Sequence, residues 1–172
     1  MDMIALGTLL VRVIAGLTLA AHGYYKFFRG GRIAGTARWF EGLGMRPGRL
    51  HAVSAAGAEI GAGLLLAVGL LTPLAAAGFV GLMLVAAWTV HRANGFFSAN
   101  NGWEYNLILA ATAVGIATIG PGQWSLDHAI GLRLGGGWGL LISVAGGLAG
   151  GSAMLAGFYR PPVPHEATEA PR

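Results

Sequence analysis

Residues 3–21 read MIALGTLLVRVIAGLTLAA, a stretch apolar and long enough for a membrane-spanning helix but interrupted by Arg12 near its middle. A charge at the bilayer centre costs about 2.5 to 3.5 kcal/mol on insertion scales, so this arginine needs a partner or a purpose. Glu59 stands at the matching depth of the second apolar stretch. The sequence therefore predicts an intramembrane ion pair between Arg12 and Glu59, which either holds two helices in register or supports a site.

The composition of the chain sets the class of protein. Of its 172 residues, 55% are hydrophobic and 10% are charged, whereas soluble domains carry about 25% charged residues. This predicts an all-α, polytopic membrane helix bundle. The formal charge of +4 comes from residues clustered between apolar stretches, where they report topology, so we exclude nucleic-acid binding. Because the chain has no cysteine, it offers no thiolate for an iron–sulfur cluster or a zinc site.

Five membrane spans are predicted within a single transmembrane domain, residues 1–160. They cover about residues 4–21, 52–71, 73–90, 104–120 and 138–159. Thr72 is predicted as the N-cap of the third span, before Pro73. The fifth span is rich in glycine, which lowers helix propensity but favours close packing in lipid, and a peripheral or re-entrant segment is the alternative. The polar, proline-rich residues 161–172 are predicted to form a disordered tail.

The distribution of basic residues predicts the orientation of these spans. One side of the membrane receives nine lysine and arginine residues, and the other receives Arg133 alone. By the positive-inside rule, the N-terminus is predicted to lie outside the cell and the tail in the cytoplasm. The predicted location is the cell membrane, which is the inner membrane in a cell that has two. The nine residues are Lys26, Arg29, Arg32, Arg38, Arg46, Arg49, Arg92, Arg160 and Arg172.

The long connection between the first two spans has its own pattern. Ile33, Ala37 and Phe40 recur at helical spacing against Arg32 and Arg38, which predicts a short amphipathic helix on the cytoplasmic surface. Such a helix either anchors the loop on anionic lipid or forms a lid over a site at the helix ends.

Polar side chains converge on the cytoplasmic ends of the spans. Arg12, His22 and Lys26 share one face of the first helix, which forms a polar strip from mid-membrane to the surface. Further polar residues stand at the ends of the other spans. The candidate ligand-binding or proton-carrying residues are His22, Lys26, His91, Glu104 and Asn106. No residue is assigned a catalytic role.

A quinone suits this arrangement, because its carbonyls need hydrogen-bond donors and a proton path beside an apolar cleft open to lipid. Haem is the competing cofactor, but His22, His51 and His91 stand at helix ends and do not face one another inside a bundle. No histidine or glutamate pair at i, i+3 or i, i+4 spacing indicates a metal site. We therefore expect quinone and expect no haem, iron–sulfur cluster, zinc or other metal.

Six segments carry a resemblance to a known family: LVRVIAG at 10–16, AHGYYKF at 21–27, EIGAG at 59–63, GLLTP at 69–73, NGWEYNL at 101–107 and GPGQWSLD at 120–127. In their order and spacing, which match along nearly all of residues 4–130, the chain resembles the DoxX family. The resemblance implies a four-helix membrane bundle, so the segment after Asp127 departs from the minimal pattern. It also implies redox chemistry, since relatives include the membrane subunit of a thiosulfate:quinone oxidoreductase.

Two functional hypotheses follow. In the first, the chain is a redox-associated membrane subunit that binds quinone at the cytoplasmic ends of its helices and works with an electron-delivering partner or substrate. In the second, it is a non-catalytic anchor that recruits soluble redox proteins to its cytoplasmic face. A transporter is disfavoured because no internal repeat is evident. The sequence leaves open whether the chain is an enzyme and whether it forms an oligomer.

Overall fold

The protein is a bundle of long helices, seen in a computed structural model that describes residues 2–161. The third long helix, α4, runs from Thr72 through a π-helical turn to Asn94, and the last, α7, contains a π-helical turn at Ile142–Gly146. The helices are α1 Met3–Phe28, α2 Arg32–Gly42, α3 Gly48–Val68, α4 Thr72–Asn94, α5 Glu104–Ile119, α6 Leu126–Ala129 and α7 Gly136–Phe158.

The predicted all-α membrane architecture is confirmed. Within residues 2–161, four helices, α1, α3, α4 and α7, are long and apolar enough to cross a membrane, and α5 is a shorter apolar helix. The fifth predicted span is therefore a helix of membrane-spanning length despite its glycines. The amphipathic segment after the first span is also helical, as α2. Of the predicted tail, residues 162–172 lie outside the described part of the chain.

Helices α1 and α3 pack closely because small residues face each other along their contact. A Cβ atom on Gly16 would lie 2.7 Å from the backbone nitrogen of Ala67, and one on Gly63 would lie 2.7 Å from that of Ala20. Small residues let two backbones approach closely, and this packing drives helix association in lipid. The hydrophobic effect contributes little there, because the lipid around the helices is itself apolar. The glycines therefore fix the register of α1 against α3.

This register makes a glycine comparison informative. We expect Gly63→Ala to destabilise the protein by about 1–3 kcal/mol, because the added methyl group overpacks the α1–α3 contact. Gly57→Ala on the same helix meets no atom within 4 Å and should be neutral or slightly stabilising, because alanine favours helix. Thermal unfolding in detergent measures both. Equal stability of the two variants would contradict the close contact.

Arg12 lies at the end of the bundle where α3 turns into α4. Its guanidinium is buried and donates to the carbonyl oxygens of Ala67, at 2.5 Å, and Trp124. The buried carboxylate of Asp127 acts electrostatically on the same group. Ala67 belongs to the last turn of α3, whose carbonyls lack helical partners. Arg12 therefore satisfies that helix terminus and ties it to the segment after α5.

Asp127 performs the matching task for α4. Its carboxylate accepts the backbone N–H groups of Leu71, at 2.7 Å, and Thr72, at 2.9 Å, and the Thr72 hydroxyl at 2.6 Å. Thr72 was predicted as the N-cap, and that assignment is wrong. The helix already includes Thr72, and Leu71 occupies the cap position with a left-handed backbone. The cap is supplied from a distant part of the chain.

Candidate functional site

A cavity of about 420 Å³ lies between α3 and α7, on the face of α4. Most of its walls are apolar and many are small. Ser54, Ala58 and Gly150 line it and are exposed, so the cavity opens to the surroundings of the bundle. The walls come from Lys26 on α1, Trp39 and Phe40 on α2, His51, Ser54, Ala55, Ala58 and Glu59 on α3, Ala77, Gly78, Gly81, Leu82, Val85, Ala86, Thr89 and Val90 on α4, and Gly146, Gly147, Gly150, Gly151 and Met154 on α7, with Met45 between α2 and α3.

Small residues create this space while keeping α7 against α4. A Cβ atom on Gly147 would lie 2.7 Å from the carbonyl oxygen of Ala77, and one on Gly151 would lie 3.1 Å from that of Gly81. The same stretch of α7 lines the cavity. The glycines that weakened the prediction of a fifth span therefore allow the close contact with α4 and shape the site.

The charged group in the cavity is an ion pair between Lys26 and Glu59. The Lys26 ammonium lies 2.6 Å from both carboxylate oxygens, and the side chains are 20% and 10% exposed. Two charges in largely apolar surroundings are stable only when paired, because each is costly to remove from water. The pair gives a largely apolar cavity a fixed donor and acceptor.

The predicted pair between Arg12 and Glu59 is wrong. Glu59 forms its ion pair with Lys26, whereas Arg12 donates hydrogen bonds to backbone carbonyls near Asp127. The register of α1 on α3 explains this, because it sets Arg12 opposite Ala67 and Gly23 opposite Ala56. Glu59 therefore lies near the C-terminal part of α1, within reach of the long Lys26 side chain.

The other predicted site residues divide between separate places. His22 is exposed, and the Tyr105 hydroxyl lies 3.4 Å from its Nε2 atom, which joins the ends of α1 and α5. Asn106 is buried in the bundle, where its Nδ2 atom donates to Met83 Sδ and its Oδ1 atom has no partner among the described residues. Neither His22 nor Asn106 lines the cavity.

His91 and Glu104 organise the connection between α4 and α5. The His91 Nδ1 atom lies 2.7 Å from the carbonyl oxygen of Asn101, and the Glu104 carboxylate accepts the backbone N–H of Ser98 at 2.9 Å and its hydroxyl at 2.8 Å. Both residues are partly exposed, and both bond to the connection that joins α4 to α5. Of the five predicted ligand-binding or proton-carrying residues, only Lys26 lines the cavity.

His51 contributes to the site more than its position in the sequence indicated. It is buried beside Phe40 and Phe158, with ring centroids 6.4 and 5.0 Å away, and its Nε2 atom lies 3.3 Å from the carbonyl oxygen of Arg46. It therefore stands where α2, α3 and the end of α7 meet. In the sequence, His51 stands at the start of a predicted span. That position alone is only weak evidence for a functional site.

The end of α7 is clasped to the connection between α2 and α3. Met45 pairs with Tyr159 as an antiparallel bridge, and Arg160 N–H donates to the carbonyl oxygen of Gly44 at 2.8 Å. Met45 is buried, and it lines the cavity together with Phe40 and Trp39. The amphipathic helix α2 therefore covers one end of the cavity.

Two π-helical turns border this cavity, one in α4 at Ala87–His91 and one in α7 at Ile142–Gly146. Such turns are rare overall. Those that occur are often found at functional sites, because they shift side chains out of helical register. Thr89 and Val90 come from the first turn and Gly146 from the second. Both observations point to the cavity as the candidate site.

The apolar helices define a multi-pass membrane protein with a partly open cavity between its helices. A family model, described as DoxX, matches residues 7–92, which is half of the chain. The protein belongs to the DoxX family. No curated protein matches the chain, and no solved structure matches it. The matched segment contains most of α1, all of α2 and α3 and most of α4, and it includes both members of the Lys26–Glu59 pair.

Proposed function

We propose that this DoxX-family protein is a redox-associated membrane subunit that binds a quinone in the cavity beside Lys26 and Glu59. The observation that carries this proposal is a largely buried ion pair in a mostly apolar cavity of about 420 Å³. Small-molecule sites typically enclose about 300–1,000 Å³ and combine apolar walls with a few fixed polar groups. A quinone ring on an apolar tail has matching chemistry.

The residues of the cavity suit the two ends of such a ligand. The Lys26 ammonium has hydrogens to donate to a quinone carbonyl, and Glu59 keeps that ammonium in place. Trp39 and Phe40 supply aromatic surface for the ring, and the glycine and alanine walls leave room for the tail. The predicted donors His22, His91 and Glu104 are thereby replaced by Lys26, with His51 close to the same walls.

The source of electrons lies outside this chain in the proposal. A quinone accepts electrons and protons when it is reduced, and the chain has no cysteine with which to deliver them. Within residues 2–161, no group of three His, Asp or Glu side chains is placed to hold a metal ion. We therefore propose a soluble redox protein or a reducing substrate as the donor, on the side of the membrane that α2 faces.

The orientation of the chain is part of this proposal. The positive-inside rule places the α2 side in the cytoplasm and the N-terminus outside, so a soluble partner would be cytoplasmic. The alternative, a non-catalytic anchor for soluble redox proteins, stays a prediction. It requires no ligand in the cavity, so ligand binding separates the two hypotheses.

A cavity-filling variant tests the proposal. We expect Gly150→Leu to weaken binding of decylubiquinone at least about tenfold, or about 1.4 kcal/mol, because the leucine side chain occupies the cavity. Gly150 lines the cavity, and a Cβ atom there meets nothing within 4 Å, so the helix itself should accept the change. Quenching of tryptophan fluorescence by the quinone measures binding, with Trp39→Phe identifying the signal from the cavity.

Gly157→Leu is the matched control. Gly157 lies on the same helix with equally open space around it and does not line the cavity. We expect this variant to bind the quinone like the unmodified protein. Equal binding by both variants, or no saturable quenching in the unmodified protein, would refute the proposed site.

A further inference from the structure

Five exposed arginines, here called the arginine belt, lie between the C-terminal end of α1 and the first turn of α3. All five guanidinium-bearing side chains are exposed, and within residues 2–161 none of them donates a hydrogen bond or joins an ion pair. Glu41, the acidic residue among them, accepts the N–H of Gly48 at 3.3 Å. The arginine belt consists of Arg29, Arg32, Arg38, Arg46 and Arg49.

Within residues 2–161, the other two arginines on this side, Arg92 and Arg160, have partners on the chain. The Arg92 guanidinium lies 4.3 Å from the ring centre of Trp88. Arg160 donates to the carbonyl oxygens of Ala156, Gly157 and Tyr159. The arginine belt thus differs from Arg92 and Arg160 in having free donors among the described residues.

The depth of the arginine belt is set by α1. This helix has 26 residues, about 39 Å at 1.5 Å per residue, whereas the hydrocarbon core is about 30 Å thick. Its last turns carry the exposed aromatic residues Tyr24, Tyr25 and Phe28, which is typical of the membrane interface. Arg29 and Arg32 follow directly, so they lie at the level of the lipid headgroups.

We propose that the arginine belt binds the headgroups of anionic phospholipids in the leaflet that α2 faces. The guanidinium group recognises a phosphate through paired hydrogen bonds and is less strongly hydrated than an ammonium group, which suits an interface. The apolar face of α2, with Phe40 buried against α3, keeps the helix on the bundle while Arg32 and Arg38 face outward. This lipid binding is independent of any ligand in the cavity.

Native mass spectrometry of the full chain tests the proposal. The protein is exchanged into mixed phosphatidylcholine and phosphatidylglycerol and then released, and the retained lipids are counted. We expect phosphatidylglycerol to be retained several-fold over its share of the mixture. The triple variant Arg32→Gln, Arg38→Gln, Arg49→Gln should lose most of this enrichment, and glycerol phosphate at matched ionic strength should not displace the lipid.

A second triple variant removes the same charge elsewhere. Arg92→Gln, Arg133→Gln, Arg160→Gln should keep the enrichment, because these residues lie outside the arginine belt. Thermal unfolding in a zwitterionic detergent confirms that both variants fold. Equal enrichment in the two variants, or displacement by glycerol phosphate, would overturn the proposal. The proposal would also be overturned if an acidic soluble protein bound the arginine belt and phosphatidylglycerol were not enriched on the protein.

Discussion

Lys26→Met is expected to destabilise the protein more than Glu59→Gln, although both changes break the same ion pair. The lysine change leaves a carboxylate in apolar surroundings with its cation removed, which typically costs about 3–5 kcal/mol. The glutamate change leaves a long side chain near the end of α1 that can extend its ammonium toward water, so about 1–2 kcal/mol is expected. The exposures of 20% for Lys26 and 10% for Glu59 set this order.

The double variant tests whether the two effects share one origin. Lys26→Met with Glu59→Gln removes both charges, so it should be more stable than Lys26→Met alone. Thermal unfolding of all four proteins in one detergent gives the coupling energy. Additive losses would show that the pair contributes nothing beyond its separate side chains, and greater sensitivity at Glu59 would contradict the proposed asymmetry.

The same variants separate stability from ligand binding. Lys26 is the proposed donor to a quinone carbonyl, so Lys26→Met should lower decylubiquinone affinity about tenfold or more. The double variant should recover stability without recovering affinity, because it lacks the donor. A double variant that binds the quinone normally would make the ion pair structural and would leave the cavity without its proposed polar contact.

The helices could be predicted because their signal is local. Long apolar stretches with few charges specify helices in a membrane, and each of the five predicted spans has a helix. The ends were predicted less well. α1 continues to Phe28, well past the predicted end at Ala21, because the residues after Ala21 leave the apolar core without breaking the helix.

The partner of Arg12 could not be predicted from depth alone. Counting residues from the start of each span placed Arg12 and Glu59 level with each other. The observed register instead depends on which glycines meet, and Gly16 against Gly63 sets it. Only the contact between two helices contains that information, and a helical wheel of either helix lacks it.

The cavity was hidden from the sequence for a related reason. Its walls come from several helices and from the clasp between Met45 and Tyr159, which are far apart in the chain. In the sequence, the glycines of α7 lower the helix propensity of the predicted span. Their role, which is to allow close packing of α7 on α4, becomes visible only in the folded structure. Of the five predicted ligand-binding residues, Lys26 lines the cavity, whereas His22, His91, Glu104 and Asn106 bond elsewhere.

Asp127→Ala should be among the most destabilising single changes in the chain, at about 3–5 kcal/mol. The carboxylate accepts three hydrogen bonds at the start of α4. A hydrogen bond to a charged group contributes about 1.5–3 kcal/mol, and bonds that share one acceptor group do not add in full. Its removal also leaves the buried Arg12 guanidinium without a nearby carboxylate. Asp127→Asn keeps an acceptor oxygen but no charge, so an intermediate loss is expected.

Asp2→Ala is the matched control for this change. Asp2 also caps a helix, through Oδ1 bonds of 3.0 and 3.2 Å to the N–H groups of Ile4 and Ala5, but it is exposed. An exposed cap contributes about 0.5–2 kcal/mol, because water replaces the lost acceptor. Thermal unfolding in detergent compares the two, and Asp127→Asn keeps the comparison possible where Asp127→Ala does not fold. Similar losses at Asp2 and Asp127 would mean that water reaches the α3–α4 turn. In that case water, and not the carboxylate of Asp127, would stabilise the Arg12 guanidinium. The nearby Asp127 would then not explain why the first span tolerates a charged residue.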